Sequence, residues 1–425
     1  MNQLQLFLPC AAGVEDLLVH EVARITSGDT AAVRKQRGGV LVEATWRDAL
    51  LLNLHSRLSQ RVLVQLFYAE YRNEQDLYRA ASEVAWEIWF TPRQSIKVEV
   101  TAQHSPLTSL NFAALKIKDA ICDRFRAKAG GVRPDVNTQW PDIRIYAHLT
   151  TDAVSLYIDT SGEALFKRGW REDKGEAPLK ETLAAAMIAA SGWAQDVRQP
   201  LYDPCCGSGT IAIEAAQIAC NIAPGSLRRF AFEKMLPFQP HVWDAILSEA
   251  QRAQRPLPDG GRVTIFGSDV AHRMVDFAQR NAERAGVGRV IEFRGGDALQ
   301  RMPPCEVPGV MLVNPPYGER IEVGGVAGAG AREQAQTADG GDFFVQLAAH
   351  WKKNYAGWTA WMLTPDLKLP GKMRLKESRR VPMWNGPIEC RLFKFDMVAG
   401  RMAKDAAAAK EEAAVKAAGS PTAGD

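Results

Sequence analysis

The sequence predicts an α/β chain: a doubly wound, mostly parallel sheet in the second half, preceded by smaller α+β units. Three observations carry that expectation. From about residue 178, short apolar runs alternate with amphipathic helical patterns, as β-α crossovers in a parallel sheet require. Before that point, strands with alternating apolar residues, such as SIKVEVT at 95–101, are interleaved with single helices. The chain has 425 residues, 46% hydrophobic and 24% charged, which is globular composition and more than one ordinary domain.

The elements follow in order. Alternation over 4–8 predicts a strand, helical spacing of Val14, Leu17, Leu18, Val22 and Ile25 a helix, and Gly38-Gly39 a turn into a strand at 40–43. A helix is expected over 46–55, closing a first unit at 1–65. In 66–165, a strand at 95–101 precedes a helix at 111–128, whose expected apolar face is Phe112, Leu115, Ile121 and Phe125. The other side carries Lys116, Lys118, Arg124, Arg126 and Lys128, with Arg133 following. A solvated face is the simplest reading of these bases taken alone. Strands at 143–149 and 153–159 complete the unit. In 166–400, Pro178 can open a helix. Strands are then expected at 199–203, 263–267, 290–294, 310–313, 358–363 and 389–395, with helices at 210–220, 272–285 and 343–353. The Gly/Ala-rich stretch 323–342 reads as a loop, and the Ala-rich charged 401–425 as a disordered tail.

Composition narrows the function classes. The longest apolar stretch, 183–190, is far short of the ~18 residues of a membrane helix, and the start MNQLQLFLPC has no basic region before its apolar run. Seven cysteines, scattered and without a C-x-x-C pair, argue against a disulfide framework or zinc ribbon and for a reducing cytoplasm. No metal-ligand spacing appears among the seven histidines, so no metal is expected. A net charge of +3 neither demands nor excludes nucleic acid, because phosphate is bound by a local basic face.

Two motifs carry chemistry. In DPCCGSGT at 203–210, a strand runs into a helix through Gly207 and Gly209, which let the backbone turn sharply and approach a ligand. Ala212 occupies the third glycine position of a dinucleotide fingerprint, and no Gly-Lys-Ser/Thr follows. Asp203 at the strand end would repel a pyrophosphate and suits a cation such as the α-ammonium of S-adenosylmethionine. Asp269 in Gly-Ser-Asp and Asp297 in Gly-Gly-Asp close the next two strands, placed to accept ribose hydroxyls and an adenine amine. One such aspartate is usually a helix cap; three in succession are harder to dismiss. Cys205 and Cys206 read as packing residues.

The second motif, Asn314-Pro315-Pro316-Tyr317-Gly318, follows an apolar strand. Its prolines stiffen the loop and remove two donors, leaving the Asn314 amide oxygen and the Pro315 carbonyl as acceptors for a nucleobase exocyclic amine. Tyr317 can stack on the base, worth about 1–3 kcal/mol. The implied chemistry is direct displacement at a sulfonium methyl, with alignment as the enzyme's main task.

With these motifs in place, the chain resembles the bacterial THUMP-containing class I RNA methyltransferases, of the type that methylates guanine N2 in 23S ribosomal RNA. The likeness rests on LFLPCAAGVEDLL, KIKDAICDRFR, LFKRGWREDKGEAPLKETLAAAM, DPCCGSGTIAIEAA, APGSLRRFAFEKM, GSDVAHRMVDFAQRNAERAG and NPPYGER, and spans about residues 1–400. It implies a ferredoxin-like domain at 1–65, a THUMP module docking RNA at 66–165 and a Rossmann-like methyltransferase domain at 166–400. It assigns Asp203, Gly207 and Gly209 to the methionine end of S-adenosylmethionine, Asp269 to its ribose and Asp297 to its adenine. Asn314, Pro315 and Tyr317 would hold the base, Lys180 and Glu181 match the helix before the glycine loop, and Glu181 would help shape the cofactor pocket. Beside the catalytic module, the bases of 116–133 become RNA-binding candidates. The paired cysteines and the 323–342 insertion depart from the family pattern. Some relatives carry a second methyltransferase domain; here one methyl-transfer activity is expected. Other readings are a tRNA guanine methyltransferase, an adenine-N6 methyltransferase, and a non-catalytic RNA-binding assembly factor.

Overall fold

The computed structural model describes residues 3–175, 178–257, 264–315 and 340–398, which form two compact units. The Pro316–Tyr317 end of the second motif, most of the 323–342 stretch and the 401–425 tail lie outside the described residues.

The first unit is built on a seven-stranded sheet. Its elements are β1 (Leu4–Pro9), α1 (Glu15–Ile25), β2 (Val33–Gln36), β3 (Gly39–Ala44), α2 (Trp46–His55), β4 (Leu63–Glu70), α3 (Glu74–Glu83), β5 (Ile96–Ala102), α4 (Leu110–Lys128), β6 (Ile143–Leu149) and β7 (Ala153–Asp159). The strand order is β2-β3-β1-β4-β7-β6-β5, antiparallel except for the β5–β6 pair. The sheet is continuous across the division expected at 65/66, because β4 pairs with β1 on one side and β7 on the other. Capping chemistry fixes two helix starts: Thr45 with Asp48 opens α2, and Asn73 with Asp76 opens α3. Each such cap contributes about 1 kcal/mol. Helix α3 was not foreseen, because its apolar content is slight and the signal lay in the cap.

Helix α4 departs from the expected face. Ala113, Ile117, Ala120, Ile121, Cys122 and Phe125 are buried, whereas Phe112 is 46% and Leu115 52% exposed. Alanine at 113 and 120 lets the helix close on its neighbours, and a stripe through 113, 117, 121 and 125 puts 112 and 115 round the cylinder from it.

In the rest of the chain come α5 (Glu181–Ser191), β8 (Leu201–Asp203), α6 (Thr210–Ala219), α7 (Pro240–Arg252), β9 (Ile265–Asp269), α8 (His272–Arg284), β10 (Ile291–Gly295), β11 (Val310–Val313), α9 (Gly340–Asn354), β12 (Thr359–Thr364), α10 (Leu369–Met373), β13 (Arg379–Asn385) and β14 (Ile388–Asp396). Helix α5 begins three residues after Pro178, so that proline precedes the helix. By compactness, residues 217–256, α7 included, group with the first unit. Local contacts explain it. The Arg228 fork donates to the carbonyls of Ala164, Lys167, Ser161 and Glu163. A Cβ on Gly225 would lie 2.9 Å from the Asn53 carbonyl oxygen, so glycine there permits the close approach.

The second unit has strand order β10-β9-β8-β11-β12-β14-β13, parallel through β12 and antiparallel beyond. This is the doubly wound, mostly parallel sheet that the sequence predicts. Its core includes Trp351, Tyr355 and Trp358 together with Phe393 and Phe395 of β14, all buried. The β13–β14 hairpin extends the one late strand that was expected.

Candidate active site

The four strands that end in the candidate residues are consecutive neighbours, β10-β9-β8-β11, and run parallel. Asp203 and Asp269 are the last residues of β8 and β9, Asp297 lies two residues past β10, and Asn314 directly follows β11. Their carboxyl ends share one edge, where ligands bind in open α/β sheets.

The three aspartates share a local geometry. Each accepts a hydrogen bond from the amide two residues on: Asp203 Oδ1 from Cys205 at 3.1 Å, Asp269 Oδ1 from Ala271 at 3.0 Å, and Asp297 Oδ1 from Leu299 at 2.9 Å. They are Asx turns rather than helix caps. Asp269 alone reaches sideways, its Oδ2 accepting from the Gly207 amide at 2.9 Å. Asp203 is 2% exposed. Burial pushes its carboxyl up to about 8; the Cys205 amide opposes that and the Asp269 charge adds to it. A buried carboxylate beside a second one has room for a cation.

The glycines serve different ends. Both have left-handed φ, +53° at Gly207 and +88° at Gly209. A Cβ on Gly209 would lie 3.0 Å from Ala278 Cβ, so α8 packs tightly there. Among the described residues, a Cβ on Gly207 would meet only the Met274 methyl, at 3.9 Å, so no tight packing there demands the glycine. Burial holds the Cys205 and Cys206 thiols far above their usual range, the neighbouring aspartates adding to it, which keeps both protonated.

Asn314 Oδ1 is buried and has no hydrogen-bond partner among the described residues. An orphaned buried acceptor costs about 1–3 kcal/mol, a cost that a ligand N–H would remove. Pro315 behind it is buried. Tyr317 lies outside the described residues.

One contributor was missed in the sequence. Asn281 on α8 is fully buried, and its amide donates to the Ser208 carbonyl at 3.1 Å and the Asp173 carbonyl at 2.8 Å. Arg280 and Arg284 grip the Asp173 carboxylate. Residues 172–175 are thereby held on the glycine loop. The available signal was an asparagine among the alanines of the buried face of α8.

The remaining candidates lie in the first unit. Glu181 is buried and paired with Arg171 at 2.7 Å; burial raises its carboxyl and Arg171 opposes the rise. Among the bases of α4, Arg124 is committed to structure, with a forked pair to Glu87 and a bond to the Ser82 carbonyl. Lys118 pairs with Asp119 and Arg126 with Asp123. Lys116 lies over the Phe112 ring. Arg126, Lys128 and Arg133 are exposed. Among the described residues, no helix is long and apolar enough to cross a membrane, and no cluster of three or more acidic, His or Cys side chains could hold a metal ion.

The RMKL-like methyltransferase domain model matches residues 168–394, over half of the chain. The chain belongs to this methyltransferase-domain family. The THUMP domain model matches residues 71–159, and the RlmL ferredoxin-like domain model residues 5–63. The "Ribosomal RNA large subunit methyltransferase K/L" of Psychromonas ingrahamii is 37% identical over 389 residues, 91% of this chain and 49% of that protein. The chain thus spans about half the length of the curated relatives it matches. Among solved structures, SMU.472, determined with S-adenosylhomocysteine bound, superposes with TM-score 0.79 at 26% identity, covering 94% of this chain and 99% of that one. A protein of Listeria monocytogenes, described as a predicted N6-adenine-specific DNA methylase, gives 0.78 at 28% identity, covering 92% and 96%. The Rossmann-like methyltransferase fold and the ferredoxin-like and THUMP modules implied by the resemblance are therefore present.

Proposed function

We propose that this RMKL-like methyltransferase moves a methyl group from S-adenosylmethionine to the exocyclic N2 of a guanine in 23S ribosomal RNA. The observation that carries the reading is the orphaned Asn314 Oδ1, standing beside three aspartate-ended strands of the same sheet. An acceptor without a donor fits an exocyclic amine, and the curated relatives act on large-subunit ribosomal RNA by name.

The residues present fit the cofactor. The buried Asp203 carboxylate suits the α-ammonium, the left-handed turn at Gly207 brings backbone up to the methionine end, and Asp269 and Asp297 offer carboxylates at the next two strands for ribose and adenine. Bound there, S-adenosylmethionine supplies an electrophilic methyl group on sulfur. Asn314 Oδ1 and the Pro315 carbonyl take the two N–H groups of the amine and fix the direction of the nitrogen lone pair, while Tyr317 stacks on the ring. Most of the rate enhancement then comes from orientation. The family resemblance also assigns Glu181 to the cofactor pocket; its own partner is Arg171. Residues 66–165 dock the RNA, with Arg126, Lys128 and Arg133 as its phosphate contacts, and 166–400 perform the transfer in a cytoplasmic setting.

The test is methyl transfer from labelled S-adenosylmethionine to 23S RNA and tRNA lacking the modification, followed by nucleoside mass spectrometry. N2-methylguanosine in 23S RNA is the expected product. N6-methyladenosine, methylated tRNA alone, or RNA binding without transfer would each replace the reading with one of its rivals.

A further inference from the structure

In the second unit, β12 ends at Thr364 on the same edge of the sheet as Asn314, because β11 and β12 run parallel with Val313 opposite Met362. The chain that follows, residues 366–380, carries six bases and two acids. Its apolar residues fasten it: Leu369 and Met373 of α10 are buried in the same core as Trp351 of α9, and Leu375 packs against that core. Between and beyond these anchors, Lys368, Lys372, Arg374, Lys376, Arg379 and Arg380 are exposed. The acids answer two of them, Asp366 pairing with Lys372 at 2.7 Å and Glu377 with Arg380 at 3.5 Å. Among the described residues, Lys368, Arg374, Lys376 and Arg379 have no ion pair. Lys352, at the end of α9, donates from Nζ to the Arg374 carbonyl at 2.8 Å and adds a seventh base. A helix end accounts for Lys352 and Lys372; it does not account for bases that continue through 374–380 into β13. Arg379 stands opposite Lys394, and Lys394 opposite Trp361. The row therefore descends from the strand edge to about 10 Å below it.

We propose that this row is a track for a ribose-phosphate backbone, holding RNA on the methyltransferase unit itself. Like charges crowded on one surface repel, and a polyanion relieves that repulsion. Guanidiniums grip phosphate oxygens in pairs, while the lysines act as point charges. The contacts go to phosphate rather than to base edges, so the track adds affinity without reading sequence. The surface itself asks only for a polyanion; that the polyanion is RNA rests on the proposed function.

The test uses the full chain and fluorescence anisotropy with a labelled single-stranded RNA of mixed sequence, in a salt series. Lys376→Gln/Arg379→Gln removes two exposed bases that have no ion pair. RNA affinity should fall about tenfold, and the slope of log affinity against log salt should shrink by about 1.4. Cofactor binding and thermal unfolding should match the wild type. Arg34→Gln/Arg37→Gln, at exposed positions of the first unit, controls for bulk charge and should change affinity much less. Selective loss in the first variant, from a protein that makes no N2-methylguanosine, would keep the track and discard the methylation reading. No RNA binding by the wild type, no loss in Lys376→Gln/Arg379→Gln, or an equal loss in both variants would overturn the proposal. Unchanged RNA binding with lost binding to phosphatidylglycerol vesicles would overturn it too, in favour of an anionic membrane.

Discussion

The Asp269 carboxylate accepts the Gly207 amide across two neighbouring strand ends, at 2.9 Å. One side chain therefore ties the glycine loop to the neighbouring strand end. Asp269→Ala should weaken S-adenosylmethionine binding at least about tenfold, read by calorimetry. Transfer at saturating cofactor should fall far less. A variant that binds normally but does not turn over would reverse that assignment.

Asn314 makes the opposite prediction. Among the described residues its Oδ1 has no partner to lose, so Asn314→Ala should leave stability and cofactor affinity nearly unchanged. Transfer should drop by about a hundredfold or more, because alignment of the amine is lost. Single-turnover rates with bound cofactor measure this directly.

Asp203 predicts a proton balance. With its carboxyl at about 8 without a ligand, the group is largely protonated at neutral pH and ionises when a cation arrives. Cofactor binding at pH 7 should therefore release about one proton, measured by calorimetry in buffers of different ionisation heat; Asp203→Asn should release none. The sign for the unliganded protein follows. Between the unfolded value near 4 and the folded value near 8, the folded state holds the extra proton. Stability is greatest at the acid end of that window and declines as pH rises through it.

The basic helix α4 divides into two kinds of residue. Arg124→Ala strands Glu87 and should cost about 1–3 kcal/mol of stability, seen in urea unfolding, whether or not RNA is present. Reversing Arg126, Lys128 and Arg133 should leave unfolding unchanged and lower both RNA affinity and its salt slope. Unchanged RNA binding would return these side chains to a solvated face.

Much of this was legible in the chain because its signals are local. The run Val310–Val313 into Asn314 and the aspartates Asp203, Asp269 and Asp297 appear as sequence patterns and reappear at or within two residues of strand ends. The apolar face of α4 was misjudged because large side chains were weighed over spacing. The small Ala113 and Ala120 face inward, while Phe112 and Leu115 do not.

The order of residues by itself determined the strand–loop–helix units, the glycine turns and the types of side chain offered at each strand end. Those depend on backbone propensity and on neighbours a few positions away. Only the tertiary structure decided that β10, β9, β8 and β11 lie side by side, that Asn281 ties residues 172–175 to the glycine loop, and that 217–256 return to the first unit. Each of these rests on hydrogen bonds and packing between segments tens of residues apart. What satisfies a buried polar group, and so fixes such a contact, is settled only once the chain has closed around it.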